Sequence, residues 1–195
     1  MNRITFQHFW VAGTILNIGC GDDPANFGHS ATHLDIDFWR LPNFVHGDCH
    51  ALPFPDNSFD TAILGDVLEH CTDPEKAVRE ASRVASRVII TVPEELALPS
   101  VGMHIALGLK QRADHYRQVY GYSDEMSDED VIVSHKKTDP NFIKAFPESE
   151  IPHDGHINRF DEAWIQRLIV ASGKSVKVFQ KDPELSWYNW LIVLE

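Results

Sequence analysis

Runs of apolar residues alternate along this chain with segments in which apolar positions recur every three or four residues. Seven runs have the length and continuity of short strands: residues 14–19, 32–36, 43–47, 59–65, 86–93, 175–181 and 187–195. Alternating strands and helices favour a mostly parallel sheet that is covered by helices on both faces. The pattern therefore predicts an α/β fold.

The segment between the fourth and fifth runs carries the signals of a helix start. Asp73 is a favourable N-cap residue, and Pro74 occupies the first helical position, where its missing N–H costs nothing. Four apolar residues then fall on one helical face: Ala77, Val78, Ala81 and Val84.

A second helix is predicted in the segment that begins at Phe160. Asp161 is its expected N-cap residue, and Gly173 is expected to end it. We expect three of its side chains to face the core: Trp164, Leu168 and Ile169.

The segment from about 94 to 160 is longer than a connection between a strand and a helix requires. Long insertions of this kind are usually functional lids or disordered. Between 121 and 155 it carries nine acidic residues against three lysines, which is typical of a solvated stretch. We predict a single domain over residues 1–195 with an insertion, or lid, at about 94–160.

The composition of the chain restricts the kinds of partner that it can bind and the cellular compartment in which it is expected. No apolar run approaches the roughly 20 residues of a membrane span, and the first ten residues are too short and polar for a secretory signal. The three cysteines form no CxxC pair, which favours a reducing cytoplasm. A formal net charge of −12 disfavours nucleic acid and anionic membranes as main partners.

The sequence Gly19-Cys20-Gly21 follows the first predicted strand, where glycine permits a sharp turn and the close approach of a ligand. Asp35 ends the second predicted strand and is a suitable acceptor for a ribose diol. A dinucleotide such as NAD is disfavoured, because Pro24 replaces the third glycine of its fingerprint and the carboxylates of Asp22 and Asp23 would repel pyrophosphate.

Four segments in order, "ILNIGCG", "HLDID", "VHGDCHALPFPDNSFDTAILGDVLEH" and "DPEKAVREASRV…VIITVP", resemble the class I S-adenosylmethionine-dependent methyltransferases. They are similar in particular to the small-molecule type with a methyltransferase domain 11-like signature. The resemblance covers about 15–93 and implies a Rossmann-like three-layer α/β sandwich. Its seven-stranded, mostly parallel sheet would have an antiparallel last strand. S-adenosylmethionine would be the cofactor.

The resemblance also implies roles for individual residues. The loop Gly19-Cys20-Gly21 would lie under the methionyl and ribose portion, and Asp35 would bind the ribose hydroxyls. Asp48 would bind the adenine amino group, with the Cys49 backbone N–H on a ring nitrogen. Leu64 and Gly65 would line the methionyl end.

The chain departs from the family pattern at four places. Asn17 stands where an acid is common, although its amide can still bind the cofactor, and Asp23 stands where a third glycine is frequent. Asp23 offers a carboxylate from a neighbouring position. Only about a dozen residues precede the first strand, so we expect the N-terminal helical cover to be largely missing. The helix after the first strand is expected to be a single turn or absent.

Methyl transfer needs no fixed catalytic motif, because the cofactor carries the reactivity. A general base is required only for some acceptors, and the candidates are His70, His153 and His156. Each also has a purely structural interpretation, as part of a helix start or a polar connection. No metal site is predicted, because Gly155 disfavours a helix that would pair His153 with His156 and no third ligand is evident.

The sequence thus predicts a cytoplasmic enzyme that transfers a methyl group from S-adenosylmethionine to a small-molecule acceptor. One alternative is a catalytically inactive protein of the same fold that serves as a cofactor-binding regulatory or partner subunit. A methyltransferase of protein or RNA is a further alternative, which the acidic charge disfavours.

Overall fold

The computed structural model describes residues 3–23, 25–93, 113–114, 117–118, 121–128, 130–131, 134, 158, 160–181 and 189–195. The chain divides into two compact units. The first unit is Met1–Glu69 with Asp73–Leu96 and Phe160–Glu195. The second unit is His70–Thr72 with Ala97–Arg159. Within the described residues, no helix combines the length and apolar character that crossing a membrane requires.

The first unit is built on a seven-stranded sheet. Its strands are β1 (Ile15–Ile18), β2 (Ala31–Asp35), β3 (Phe44–His46), β4 (Phe59–Gly65), β5 (Ala85–Pro93), β6 (Val176–Lys181) and β7 (Asn189–Leu194). They lie in the order β3-β2-β1-β4-β5-β7-β6. The pairs from β3 to β5 are parallel, whereas β7 is antiparallel to both of its neighbours. The predicted sheet with an antiparallel last strand is confirmed.

Three helices of the first unit are α1 (Arg3–Trp10), α2 (Pro74–Val84) and α3 (Glu162–Ser172). The α1 residue Phe6 shares a buried apolar cluster with Ile15, Ile63 and Ile89 of the sheet. Helix α2 packs against α3 and against strands β4 and β5. Helices and sheet together form the predicted three-layer α/β sandwich.

The ends of α2 and α3 agree with the sequence. The side chain of Asp73 accepts a hydrogen bond from the Lys76 N–H at 2.9 Å, and that of Asp161 accepts one from the Trp164 N–H at 2.8 Å. Gly173 ends α3 in the left-handed conformation, with φ 65°. These features depend on local sequence alone, which is why the pattern predicts them.

The buried face of α3 differs from the expected one. The helix buries Ile165, Leu168 and Ser172, whereas Trp164 and Ile169 are only half-buried. The Arg167 guanidinium lies over the Trp164 ring at 4.2 Å from its centroid. The predicted face was therefore rotated by about one residue, from Trp164 to Ile165.

The expectation that the N-terminal cover is largely missing was wrong. Helix α1 has eight residues and packs against β5 and β7. Phe6 and Gln7 are its buried side chains among those described. After β1, by contrast, the described residues form only a single 3-10 turn, Gly28–Ser30, as expected.

Arg83, in the last turn of α2, joins this helix to the loop that precedes β4. Its guanidinium donates to the carbonyl oxygens of Phe54 at 2.8 Å and Leu52 at 3.1 Å. It also donates to Glu80 through two nitrogens, at 2.9 and 2.7 Å, and to Asp56 at 2.9 Å. The hydrogen bond from Arg83 lowers the pKa of Glu80.

Replacing Arg83 by lysine is expected to lower the free energy of unfolding by about 1–3 kcal/mol, because one ammonium group cannot reproduce these planar, multiple contacts. Arg79→Lys in the same helix is the matched control. Its guanidinium is half exposed and lies 3.8 Å or more from its carboxylate partners, so we expect a change below about 0.5 kcal/mol. Urea unfolding of both variants checks the difference, and equal costs would contradict this role of Arg83.

In the second unit, Ala113 and Val131 are buried together, with Tyr122 and Met126 packed against them. Arg117 donates to Asp128 at 2.7 Å and to the Met126 carbonyl oxygen at 2.7 Å. The Asn158 side chain donates to the Cys71 carbonyl oxygen at 2.6 Å. The predicted function of the insertion as a lid stays a prediction.

Candidate functional site

The carboxyl ends of β1, β2 and β4 lie at one edge of the sheet, because these strands are parallel neighbours. The loop Gly19–Gly21 leaves β1 there, Asp35 ends β2, and Leu64 and Gly65 end β4. Open α/β sheets bind ligands at this edge. The structure thus brings together the predicted residues of three separate segments.

The Gly19–Gly21 loop is tied to β2 by three hydrogen bonds. The backbone N–H groups of Gly19 and Cys20 donate to the Leu34 carbonyl oxygen at 2.8 and 3.2 Å. The Gly21 N–H donates to the Asp35 carboxylate at 2.8 Å. The second Asp35 oxygen accepts from the Asp37 N–H at 2.9 Å. Asp35 therefore holds the shape of the loop in addition to its predicted function.

Both glycines of this loop have left-handed conformations, with φ 64° at Gly19 and 52° at Gly21. A Cβ at Gly19 would lie 2.2 Å from Cγ2 of Val67, whereas a Cβ at Gly21 would have nothing within 4 Å. Gly19 is required by packing inside the protein. At Gly21 the backbone borders open space, which suits the close approach of a ligand.

Asn17 and Asp23, the two departures from the family pattern, are joined in a closed ring of hydrogen bonds. The Asn17 amide donates to Asp23 Oδ1 at 3.3 Å and lies 3.4 Å from His33 Nδ1. The Gly28 N–H donates to Asp23 Oδ2 at 2.7 Å, and the Gly28 carbonyl oxygen lies 2.8 Å from His33 Nε2. Asp23, with φ 59°, takes the left-handed conformation that glycine normally supplies. We call these four residues the Asn17–His33 ring.

The Asp48 carboxylate also has partners within the protein. Its Oδ1 accepts from the His50 backbone N–H at 2.8 Å and lies 2.6 Å from His50 Nδ1. Burial of the His50 ring opposes its charge, but hydrogen bonds with Asp48 and Cys49 outweigh this effect and raise the pKa of His50 to about 10. The imidazole therefore orients the carboxylate that was predicted to bind adenine.

The Cys20 thiol is buried in the Gly19–Gly21 loop. Burial, and then the negative charges of Asp35 and Asp23, raise the pKa of this thiol above its usual range. Cys20 is therefore protonated at neutral pH and is a poor nucleophile, which is consistent with a packing function.

The end of β4 contacts the N-terminal helix. A Cβ at Gly65 would lie 2.5 Å from the Gln7 side-chain nitrogen. Gln7 donates to the Thr91 hydroxyl at 3.1 Å, and this hydroxyl donates to the Asp66 carboxylate at 3.0 Å. Sequence reasoning missed Gln7, His33, His50 and Asp66. Their only signal was a polar residue in or beside an apolar segment.

Of the three predicted catalytic histidines, only His70 lies within the described residues. His70 is half-buried and ends the 3-10 turn Leu68–His70. His153 and His156 lie outside the described residues. A catalytic function of the three histidines stays a prediction.

A family model described as "Methyltransferase domain" matches residues 16–87, from β1 to the start of β5. A ubiquinone/menaquinone biosynthesis C-methyltransferase of Pasteurella multocida is 48% identical over 42 residues, which make up 22% of this chain and 16% of that protein. A demethylmenaquinone methyltransferase of Renibacterium salmoninarum is 38% identical over 84 residues, 42% of this chain and 35% of that protein. The chain thus matches only about a sixth to a third of the length of these relatives.

Solved structures resemble this chain over almost its whole length. A methyltransferase from Methanosarcina mazei, described as SAM-dependent, has a TM-score of 0.56 and 18% identity, covering 100% of this chain and 97% of that one. A SAM-dependent methyltransferase from Thermotoga maritima, described as a possible histamine N-methyltransferase, has a TM-score of 0.55 and 16% identity, covering 98% and 86%. The likeness confirms the predicted fold class.

Proposed function

We propose that this chain is a class I S-adenosylmethionine-dependent methyltransferase that transfers a methyl group to a small-molecule acceptor, and the family model that matches residues 16–87 supports this proposal. S-adenosylmethionine is accordingly its cofactor. The observation that carries the proposal is the Gly19–Gly21 loop, fastened to Asp35 at the carboxyl edge of the sheet, with open space beside Gly21.

The residues at this edge fit the cofactor chemically. Asp35 offers a carboxylate to the ribose diol, and Asp48 with the Cys49 N–H offers one acceptor and one donor to adenine. Gly65 is partly exposed and is proposed to border the methionyl end, whereas Leu64, predicted to do the same, is 0% exposed and packs inside the protein. Asn17 is buried within the Asn17–His33 ring, so we propose that it supports the loop while Gly19, Cys20 and Gly21 border the cofactor.

The bound cofactor supplies an activated methyl group, which leaves the protein to align the acceptor and to exclude water. An acidic edge suits a cationic sulfonium and disfavours pyrophosphate. We propose that the insertion at about 94–160 selects the acceptor and that the enzyme works in the cytoplasm.

The curated relatives suggest where to look for the acceptor. One of them is named as a ubiquinone/menaquinone biosynthesis C-methyltransferase and another as a demethylmenaquinone methyltransferase. We propose hydroxylated aromatic compounds, which are the reduced form of quinones, as the first class of acceptors to screen. The catalytically inactive alternative is not favoured by the comparisons.

Thermal unfolding in the presence of S-adenosylhomocysteine, S-adenosylmethionine or NAD tests the proposal. A ligand at a hundred times its dissociation constant adds about 2.7 kcal/mol, which for a chain of this size raises the midpoint by roughly 5–10 °C. We expect this rise with the two sulfur nucleotides and none with NAD.

Two variants test whether the ligand binds at the carboxyl edge of the sheet. Asp35→Asn keeps an oxygen for the Gly21 N–H but lacks the charge that a diol prefers, so we expect it to lose most of the rise. Asp60→Asn is the matched control, because Asp60 contacts Thr14 at the opposite edge of the sheet. An unchanged midpoint of the wild-type protein with both sulfur nucleotides would refute the proposal.

A further inference from the structure

Asp66 follows the last residue of β4 and is held in an unusual conformation. Its φ is 54°, in the left-handed region that side chains rarely adopt. Its backbone N–H donates to the Thr91 carbonyl oxygen at 2.8 Å, and its Oδ1 accepts from the Thr91 hydroxyl at 3.0 Å. Asp adopts this region more readily than most side chains, and backbone strain is concentrated at functional sites.

Two buried side chains orient this carboxylate. The Gln7 side chain is 2% exposed, and Thr91 is 0% exposed. The Gln7 amide donates to the Thr91 oxygen at 3.1 Å, so the single hydroxyl proton of Thr91 is directed to Asp66. A protein rarely buries an amide and a hydroxyl unless both are satisfied. Here the hydrogen bonds of Gln7 and Thr91 lead to a half-buried carboxylate.

The position of Asp66 relates it to methyl transfer. It directly follows Gly65, which the proposed function places along the methionyl end of the cofactor. Strand β4 lies beside β1, whose end carries the Gly19–Gly21 loop. On the proposed function, an acceptor that meets the methyl group would bind at this part of the carboxyl edge, beside Asp66.

The geometry points to Asp66 as the proton acceptor for a hydroxylated aromatic acceptor, with Gln7 and Thr91 as positioning residues. This inference rests on the proposed function. The acceptor hydroxyl gives its proton to the Asp66 carboxylate, and the acceptor oxygen forms a bond to the methyl carbon. The bond between this carbon and sulfur breaks, its electron pair stays on sulfur, and S-adenosylhomocysteine leaves. Asp66 then releases the proton to water.

The test uses the full chain with methyl-labelled S-adenosylmethionine and four acceptors: phenol, catechol, hydroquinone and 1,4-dihydroxynaphthalene. Asp66→Asn keeps an oxygen for the Thr91 hydroxyl but is not basic. We expect kcat at neutral pH to fall by about 10²–10⁴, while the dissociation constant of S-adenosylhomocysteine, measured by calorimetry, changes less than threefold.

The pH profile separates a lost base from a damaged fold. In Asp66→Asn the rate is expected to rise about tenfold per pH unit towards the pKa of the phenol, which is about 10, because hydroxide then replaces the missing carboxylate. The wild-type profile is expected to flatten at lower pH. A variant that shows the wild-type rate and profile, or one that is equally impaired at every pH, would overturn the assignment.

Thr91→Val tests the positioning with the carboxylate in place. We expect kcat to fall about tenfold with little change in KM, and Thr91→Ser, which keeps the hydroxyl, to retain most of the activity. If the wild-type protein binds S-adenosylhomocysteine but methylates none of the four acceptors, this inference fails and the proposed cofactor site stands. Failure to bind S-adenosylhomocysteine refutes the proposed function itself.

Discussion

Replacing Gly19 by alanine is expected to lower the free energy of unfolding by about 2–5 kcal/mol. The left-handed backbone at φ 64° costs a residue with a Cβ about 1–2 kcal/mol. The new methyl group would also lie 2.2 Å from Cγ2 and 2.8 Å from Cβ of Val67. The side-chain and backbone shifts that such overpacking forces typically cost a further 1–3 kcal/mol.

Gly21→Ala supplies the matched control for Gly19→Ala. The two glycines belong to the same loop and share the left-handed region, but a Cβ at Gly21 meets nothing within 4 Å. We expect only the conformational cost there, about 1–2 kcal/mol. Urea unfolding without ligand, followed by circular dichroism, measures both variants.

A double variant identifies the cause of the loss at Gly19. Val67→Ala removes Cγ2, the atom nearest to the new Cβ, but keeps the Cβ at 2.8 Å, so Gly19→Ala should cost less in that background than in the wild-type protein. We expect a coupling energy of about 1–3 kcal/mol between the two positions. Equal costs for Gly19→Ala and Gly21→Ala, together with no coupling to Val67, would show that packing does not require this glycine.

Asp23→Ala is expected to lower the free energy of unfolding by about 2–4 kcal/mol, because it opens the Asn17–His33 ring. The Asn17 amide and the Gly28 N–H would both lose the carboxylate that they bind. Hydrogen bonds to a charged group contribute about 1.5–3 kcal/mol each. Asp23 is buried, so water replaces these contacts only in part.

Two further variants test the cause of the loss in Asp23→Ala. Asp23→Asn keeps one acceptor oxygen and tolerates the left-handed conformation, so we expect about half the loss. Asp22→Ala changes an exposed acid in the same loop and is expected to alter the stability by less than about 0.5 kcal/mol. If Asp23→Ala unfolds at the same urea concentration as the wild-type protein, the ring does not hold the loop.

Much of the fold follows from short-range patterns. Seven apolar runs became the seven strands, and Asp73, Asp161 and Gly173 mark helix ends as predicted. These predictions succeed because strand length and helix capping depend on residues only a few positions apart. The face of α3 was predicted less well, because the elements that pack against a helix decide which of its adjacent apolar side chains are buried.

The residues of the candidate site were also predicted only where a short-range pattern indicates them. The sequence indicated Gly19, Gly21 and Asp35 by their type and their place after strands. It did not indicate that Asn17 and Asp23 bind each other, because their relation depends on a left-handed backbone at Asp23 and on His33 from the neighbouring strand. Nor did it connect Gln7 with Asp66, which are 59 positions apart in the chain.

The sequence by itself determined the α/β class, the strands and the helix caps, since each of these is encoded in local periodicity and in short motifs. Only the tertiary structure decided which polar side chains meet. In the folded chain Asn17 and Asp23, which depart from the family motif, bind each other in the Asn17–His33 ring. The N-terminal helix supplies Gln7, which contacts Thr91 and through it Asp66 at the end of β4. The physical reason is that buried polar groups must be satisfied by partners that the fold, rather than the local sequence, places within hydrogen-bond distance.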